Sequence, residues 1–294
     1  MPTMRIACST ITWNSEHPQR HVDRLAEIAR AGYEGAPCGP HGDETADEVR
    51  SRYASHGLAC APGYLSGDFW LPEAKEDLLH RAASLADFTA DVGCTELFVA
   101  ASGFGTVTAS GRTRRQAAGH VLSEEMLSDS EFAQFAETLS QVGSVTLERG
   151  VRTCFHNHVG SFIETREEID RLFALVDHDV VFQGPDIGHL AWAGADPVAF
   201  CRDYAETIKS VHLKDIYPDV MAQGVAEEWD YGQFSEAGIF AELGEGMVDF
   251  TALFDILRGV GYAGWLVVEI DRTVKPTAYD SAVICREYLR SQGF

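Results

Sequence analysis

Four short segments in the second half of the 294-residue chain end in side chains that bind metals or move protons. They are His156-Asn157-His158, Asp186-Ile187-Gly188-His189, His212-Leu213-Lys214-Asp215 and Glu269-Ile270-Asp271. Imidazole nitrogens mixed with carboxylate oxygens are the donor set of a divalent ion that keeps open positions for water or substrate. One ligand per segment gives His156, Asp186, His212 and Glu269. Such a set accepts manganese, cobalt, iron, zinc or magnesium, and its two carboxylates favour a hard ion, manganese first. Taken singly, a His at a strand end is ordinarily a hydrogen-bonded structural residue, an Asp near a Gly is often a turn former, and Lys214 beside Asp215 can be a surface ion pair. Their recurrence at four successive segment ends is what points to a site.

Those segments need elements that bring them together. Short apolar runs alternate with amphipathic stretches along the whole chain, which is the pattern of βα units. Strands are predicted at residues 4–9, from Tyr33 (YEGAP), after Gly57 (LACAP), from Cys94 (CTELFVAA), at 151–158 (VRTCFHNH), from Val180 (VVFQG), from Ile208 (IKSVHLKDI) and from Gly264 (GWLVVEID). Helices are predicted over about 18–31, from Asp43, over 72–92 and 129–149, from Thr165, from Asp196-Pro197, and over 249–260 and 277–290. Side chains alternate faces along a strand, so His156 and His158 share one face, as do His212 and Lys214.

Eight strands in 294 residues leave about 37 per unit, somewhat above the size of a typical (β/α)8 barrel. The surplus lies in 101–128 and 217–248, after the fourth and seventh strands, on the face where such barrels build active sites. Both segments are expected to be lids, binding loops or subunit contacts, with Gly244 and Gly246 as hinges in the second. A doubly wound sheet would place a glycine-rich phosphate loop after the first strand, and Ser9-Thr10-Ile11-Thr12-Trp13 stands there instead. The prediction is an α/β protein, a single (β/α)8 TIM barrel over residues 1–294.

Composition narrows the function. Asp and Glu number 45 against 23 Lys and Arg, a net charge of -22. Such a surface repels phosphate backbones and anionic lipid, so nucleic-acid and membrane partners are not expected. No apolar run is long enough to span a bilayer and no basic-then-apolar leader opens the chain, so a cytoplasmic protein is expected. Seven dispersed cysteines without a C-x-x-C pair read as buried thiols rather than a disulfide framework or zinc site.

The stretches FHNHVGSFIETREEIDRLF, PDIGHLAWAGADP, VHLKDI, GEGMVDF and GWLVVEID, in this order and spacing, resemble the xylose isomerase-like TIM-barrel superfamily of sugar isomerases, epimerases and dehydratases. Within it the chain is most similar to the inosose (2-keto-myo-inositol) dehydratases, and GYLSGDFW at Gly63 extends the likeness into the first half. The resemblance implies a metal-dependent lyase that takes a proton from beside a ketone and expels a β-hydroxyl through an enediolate. It implies Glu269 or His158 as base, with Lys214 or His189 assisting the departing hydroxyl or holding substrate oxygens. Trp13, Asn157 and Glu245 are candidate contacts to the polyol, with barrel-rim packing as their alternative role. Epimerases of the superfamily usually carry a glutamate where His156 stands, which removes a two-glutamate proton relay and favours a lyase. An isomerase or epimerase, an eliminase of 3-keto-glycosides and a non-catalytic sugar-binding barrel are the alternatives. Self-association into a homo-oligomer is implied as well.

Overall fold

A computed structural model describes residues 4–15 and 22–294 of the chain. Eight parallel staves close on themselves. They are Arg5–Cys8, Gly35–Pro37, a third in two pieces (Ala59–Ala61 and Gly63–Gly67), Glu96–Ala101, Arg152–His156, Val181–Gln183, Ser210–Leu213 and Trp265–Val268. The eighth pairs with both the seventh and the first, with Arg5 opposite Trp265 and Trp265 opposite Ser210. Bridges Gln183–Ile208 and Asp186–His212 join the sixth stave to the seventh and complete the ring. This is the predicted TIM barrel. Strands buried on both faces need unbroken apolar runs, and all six residues of Glu96–Ala101 are buried.

Local chemistry explains the element boundaries. Ser128 and Thr165 each open a helix with a capping box, the serine with Glu131 and the threonine with Glu168. Asp196 caps the helix Pro197–Tyr204, whose proline takes the first position, where no amide donor is needed. The third stave runs beyond the predicted LACAP because Pro62 interrupts the ladder without ending the strand. The first predicted helix is seen as Arg24–Ala31, and its proposed start at 18–21 lies outside the described residues. All seven cysteines are free, and all but Cys38 are buried.

The two long segments are built differently from simple lids. In the first, Arg114 is fully buried. Its guanidinium donates to the Ser161 carbonyl at 2.9 Å, the Glu125 carbonyl at 3.1 Å and Glu168 Oε2 at 3.1 Å. Glu164 accepts the amides of Gly119 and Gly160, both at 2.7 Å, so the loops after the fourth and fifth staves are tied together. The second segment folds into helices Pro218–Ala226 and Tyr231–Glu236, and its strand Phe240–Ala241 pairs antiparallel with Asp215–Ile216. Gly244 and Gly246 are not hinges. Their amides donate to Asp215 Oδ2 at 3.0 Å each, and a Cβ on Gly246 would lie 2.2 Å from the other oxygen of that carboxylate.

Candidate active site

The fifth to eighth staves deliver their polar ends to one side of the barrel mouth. His156 ends the fifth, and its Nδ1 lies 3.2 Å from the Gly184 carbonyl. A proton on that nitrogen leaves the Nε2 lone pair for a ligand. Asp186 follows the sixth stave and caps the helix Ile187–Trp192, with Oδ1 accepting the His189 amide at 3.0 Å. Asn157 grips the aspartate's backbone from both sides, accepting its amide at 3.1 Å and donating to its carbonyl at 3.3 Å. The aspartate is thereby positioned with Oδ2 left for the site. That oxygen is 4.0 Å from His156 Nε2 and 3.7 Å from His212 Nδ1. Ligand atoms of His156, Asp186 and His212 all lie within 4.8 Å of one another. Glu269, the fourth expected ligand, lies at the edge of this group, with Oε2 3.0 Å from His212 Nδ1.

A divalent ion fits this donor set. His156 Nε2, Asp186 Oδ2 and His212 Nε2 are buried without a directed hydrogen bond, a costly condition unless a cation or ligand answers it. Burial pushes the His156 imidazolium well below its ordinary range, aided by the His212 charge, so this ring is neutral and able to ligate. His212 behaves oppositely. Burial would lower its pKa too, but the carboxylates of Glu269 and Asp186 outweigh that and raise it to about 9. Burial would raise Asp186 and Glu269; Lys214 with His189 in the first case, and His212 with Lys214 in the second, hold both well below the usual carboxylate range.

Behind this group lies a second one. Ligand atoms of His158, His189 and Asp271 also fall within 4.8 Å of one another. Between the two groups sits the fully buried Lys214. Its Nζ is 2.8 Å from Asp271 Oδ1, 3.0 Å from His189 Nε2, 3.1 Å from Asp186 Oδ2 and 3.4 Å from Glu269 Oε2. Lys214 is therefore no surface ion pair. The His158 ring meets that of His189 at a tilt, with ring centres 3.8 Å apart, and burial together with the Lys214 charge keeps its imidazole neutral. Tyr231 donates its hydroxyl to Asp271 Oδ2 at 3.0 Å, bringing the second long segment to the site.

A pocket of about 410 Å³ opens beside Glu269 and His212, walled by Thr10, Asn14, Cys38, Tyr64 and Phe98 among others. A cleft of about 540 Å³ elsewhere is lined by residues at the starts of staves, Glu96, Arg152 and Gly264, at the opposite end of the barrel from the histidines.

Three expected polyol contacts are placed otherwise. Trp13 is 3% exposed and its indole donates to Glu27 Oε2 at 2.7 Å, so it packs the turn Ile11–Ser15 onto the first helix. Asn157 is spent on the Asp186 backbone. Glu245 is bound by Lys275 at 2.6 Å and by the Tyr217 hydroxyl at 2.9 Å, away from the pocket walls. Asp271 and Phe98 join the expected residues at the site. Asp271 stands two residues after Glu269, both just past the end of the eighth stave Trp265–Val268, and its place beside a second carboxylate is a signal the sequence carries. Phe98 sits mid-strand in an apolar run, and nothing in its neighbours marks it as the wall that meets His212 at 4.1 Å.

Comparison with known proteins agrees with this architecture. Residues 25–287 match the family described as xylose isomerase-like TIM barrel. An inosose dehydratase of Geobacillus kaustophilus is 29% identical, with 97% of this chain and 93% of the relative covered. One from Clostridium botulinum is 27% identical over 92% of this chain and 88% of its own. Among solved structures, a probable 3-DHS dehydratase of Bacillus anthracis superposes with a TM-score of 0.71 at 16% identity, covering 98% of this chain and 99% of that one. A 3-keto-D-glucoside 4-epimerase of E. coli gives 0.68 at 17% identity, covering 98% and 100%. These structural likenesses speak to the fold. No helix among the described residues is long and apolar enough to cross a membrane.

Proposed function

This chain belongs to the xylose isomerase-like TIM-barrel family, and we propose that it removes water from a ketopolyol of the 2-keto-myo-inositol class with the help of a divalent ion, manganese by the balance of its ligands. It is an enzyme, a dehydratase among the lyases, with isomerase or epimerase as the runner-up class. The observation that carries the reading is the meeting of His156, Asp186 and His212, the two imidazoles each with a buried Nε2 that has no hydrogen-bond partner, beside a pocket that Glu269 and His212 line. No lysine or arginine is among the described residues of that wall, which suits an uncharged polyol better than a phosphate ester.

His156, Asp186, His212 and Glu269 would hold a divalent ion, which would supply Lewis-acid stabilisation of negative charge on a ketone oxygen. The chain does the rest. Glu269 is the base: Oε2 is engaged by His212 and Lys214, and Oε1 is left to take the proton from the carbon beside the ketone. The neutral His158 is the second candidate for that proton. Lys214 Nζ, oriented by Asp186 and Asp271, gives a proton to the departing β-hydroxyl, and His189 Nε2 lies 3.0 Å away to share it. The same reading assigns the enzyme to cyclic polyol breakdown in the cytoplasm, as a self-associating barrel.

Incubation with 2-keto-myo-inositol in D2O, followed by NMR, tests the assignment. A dehydrated diketone is expected without added NAD. Inversion of a hydroxyl without loss of water moves the chain to the epimerases, and an absolute need for NAD overturns the lyase reading. Elimination from a 3-keto-glycoside is the second reading. It is favoured by the walls Thr10, Pro37, Cys38 and Gly39, which the pocket shares with an adjoining cleft of about 550 Å³, room for a second ring. Faster release of sugar from 3-keto-glycosides than of water from the inosose decides for it.

A further inference from the structure

We propose that the Lys214 ammonium occupies the place of a second cation, so that the chain is built for one divalent ion per site and becomes a two-ion centre when that lysine is neutralised. The inference rests on the metal reading above and extends it to the group His158, His189 and Asp271. By ligand type and spacing this second group is as competent as the first, two imidazoles and a carboxylate within 4.8 Å. His189 is fully buried, and its Nδ1 has no hydrogen-bond partner.

What closes the group to an ion is the lysine. Its ammonium donates to His189 Nε2 at 3.0 Å and Glu269 Oε2 at 3.4 Å, and it pairs with the carboxylates of Asp271 at 2.8 Å and Asp186 at 3.1 Å. The His189 Nε2 lone pair that an ion would need is thus spent on Lys214. Charge points the same way. Asp186, Glu269 and Asp271 bring three negative charges, Lys214 brings one positive, and one divalent ion with neutral imidazoles brings the cluster to zero. A second dication would leave two uncompensated positive charges in a buried site, which low-dielectric surroundings penalise heavily. Without the lysine charge, one ion leaves the cluster negative and a second is attracted.

The lysine is held in this position by its stem. Gly188 lies against it so closely that a Cβ there would fall 2.5 Å from Lys214 Cγ and 2.7 Å from its Cβ. The glycine between Asp186 and His189 therefore makes room for the cation that reaches between the two groups.

The test counts bound ions. Full-length wild type and K214M are stripped with chelator, reloaded with Co²⁺ or Mn²⁺ and dialysed. Metal per chain is measured by elemental analysis, and the cobalt ligand-field spectrum is recorded. One ion per chain is expected in wild type, two in K214M, and one again in the double variant K214M/H158A. K214R, which keeps the charge, should stay at one. If K214M does not fold by circular dichroism, K214Q carries the same expectation. Two ions in wild type, or one in a folded K214M or K214Q, overturns the inference and leaves the first site intact. No ion in wild type instead overturns the metal reading beneath it.

Discussion

Staves five to eight lead into His156, Asp186, His212 and Glu269, whereas the first four bring Ser9, Pro37, Gly63 and Phe98 to the same mouth. The two arcs share one barrel and one register of parallel strands, yet no carboxylate, imidazole or lysine from the first arc lines the pocket among the described residues. On the second arc Asp186, His212, Lys214, Glu269 and Asp271 each touch a group of opposite charge or an imidazole. The contrast separates two tasks that a closed barrel allows to be solved independently. One arc gathers the charge, and the other supplies the uncharged walls of the pocket. Substitutions should therefore divide by arc, those of the second arc lowering turnover and ion binding, those of the first altering substrate affinity alone.

The largest effect is expected from Asp186→Asn. The amide oxygen can still cap the helix Ile187–Trp192, while the charge that meets His212 and Lys214 is lost. Turnover should fall on the order of 10³-fold or more with ion binding, in a protein that still folds by circular dichroism. Near-normal kcat in a folded Asp186→Asn would break the division of labour. Asn157→Ala comes next, because it removes both bonds that fix the Asp186 backbone without touching a ligand. A loss of about 10- to 100-fold in ion affinity is expected, read by competition with a chromophoric chelator.

A smaller effect comes from pH. In the ion-free protein His212 holds its proton up to about pH 9, and a protonated ring offers no lone pair. A proton therefore competes with the ion, so binding should weaken about tenfold for each pH unit below that value, with one proton released per ion bound. Affinity that does not change between pH 6 and 8 would mean that His212 is not a ligand. Smallest is Tyr64→Ala on the first arc, where a half-exposed ring stands edge-on to His156 in the pocket wall. KM should rise about tenfold with kcat and ion content kept, the signature of lost uniform binding. A fall in kcat as large as that of Asn157→Ala would show that the arcs are not separable.

The same contrast governs what could be read from sequence. Strand order and fold class follow from apolar runs spaced by capped helices, signals local to each unit, so the barrel was legible throughout. The ionisable groups of the second arc were legible because imidazoles and carboxylates at strand ends are rare enough to stand out. Their division into two groups around Lys214 was not, since it depends on distances between residues on different strands, such as Lys214 to His189 and Asp271. Asn157 drew attention by sitting between two histidines, yet its partner proved to be backbone, which has no sequence signature. Trp13 was misplaced for a related reason: an aromatic residue after the first strand can face the mouth or the helix layer, and the acceptor Glu27 on that helix decided it. The first arc is nearly silent because walls are made of residues such as Pro37 and Phe98 that serve a core equally well.

If His156, Asp186, His212 and Glu269 hold a divalent ion, dehydration should depend on it. The most direct measurement follows turnover of 2-keto-myo-inositol by one protein sample, first stripped with chelator and then titrated with Mn²⁺, with bound metal counted at each step. Negligible turnover is expected in the stripped protein, with recovery in proportion to occupancy, complete at one ion per chain. Undiminished turnover in protein shown to be free of metal would contradict this dependence.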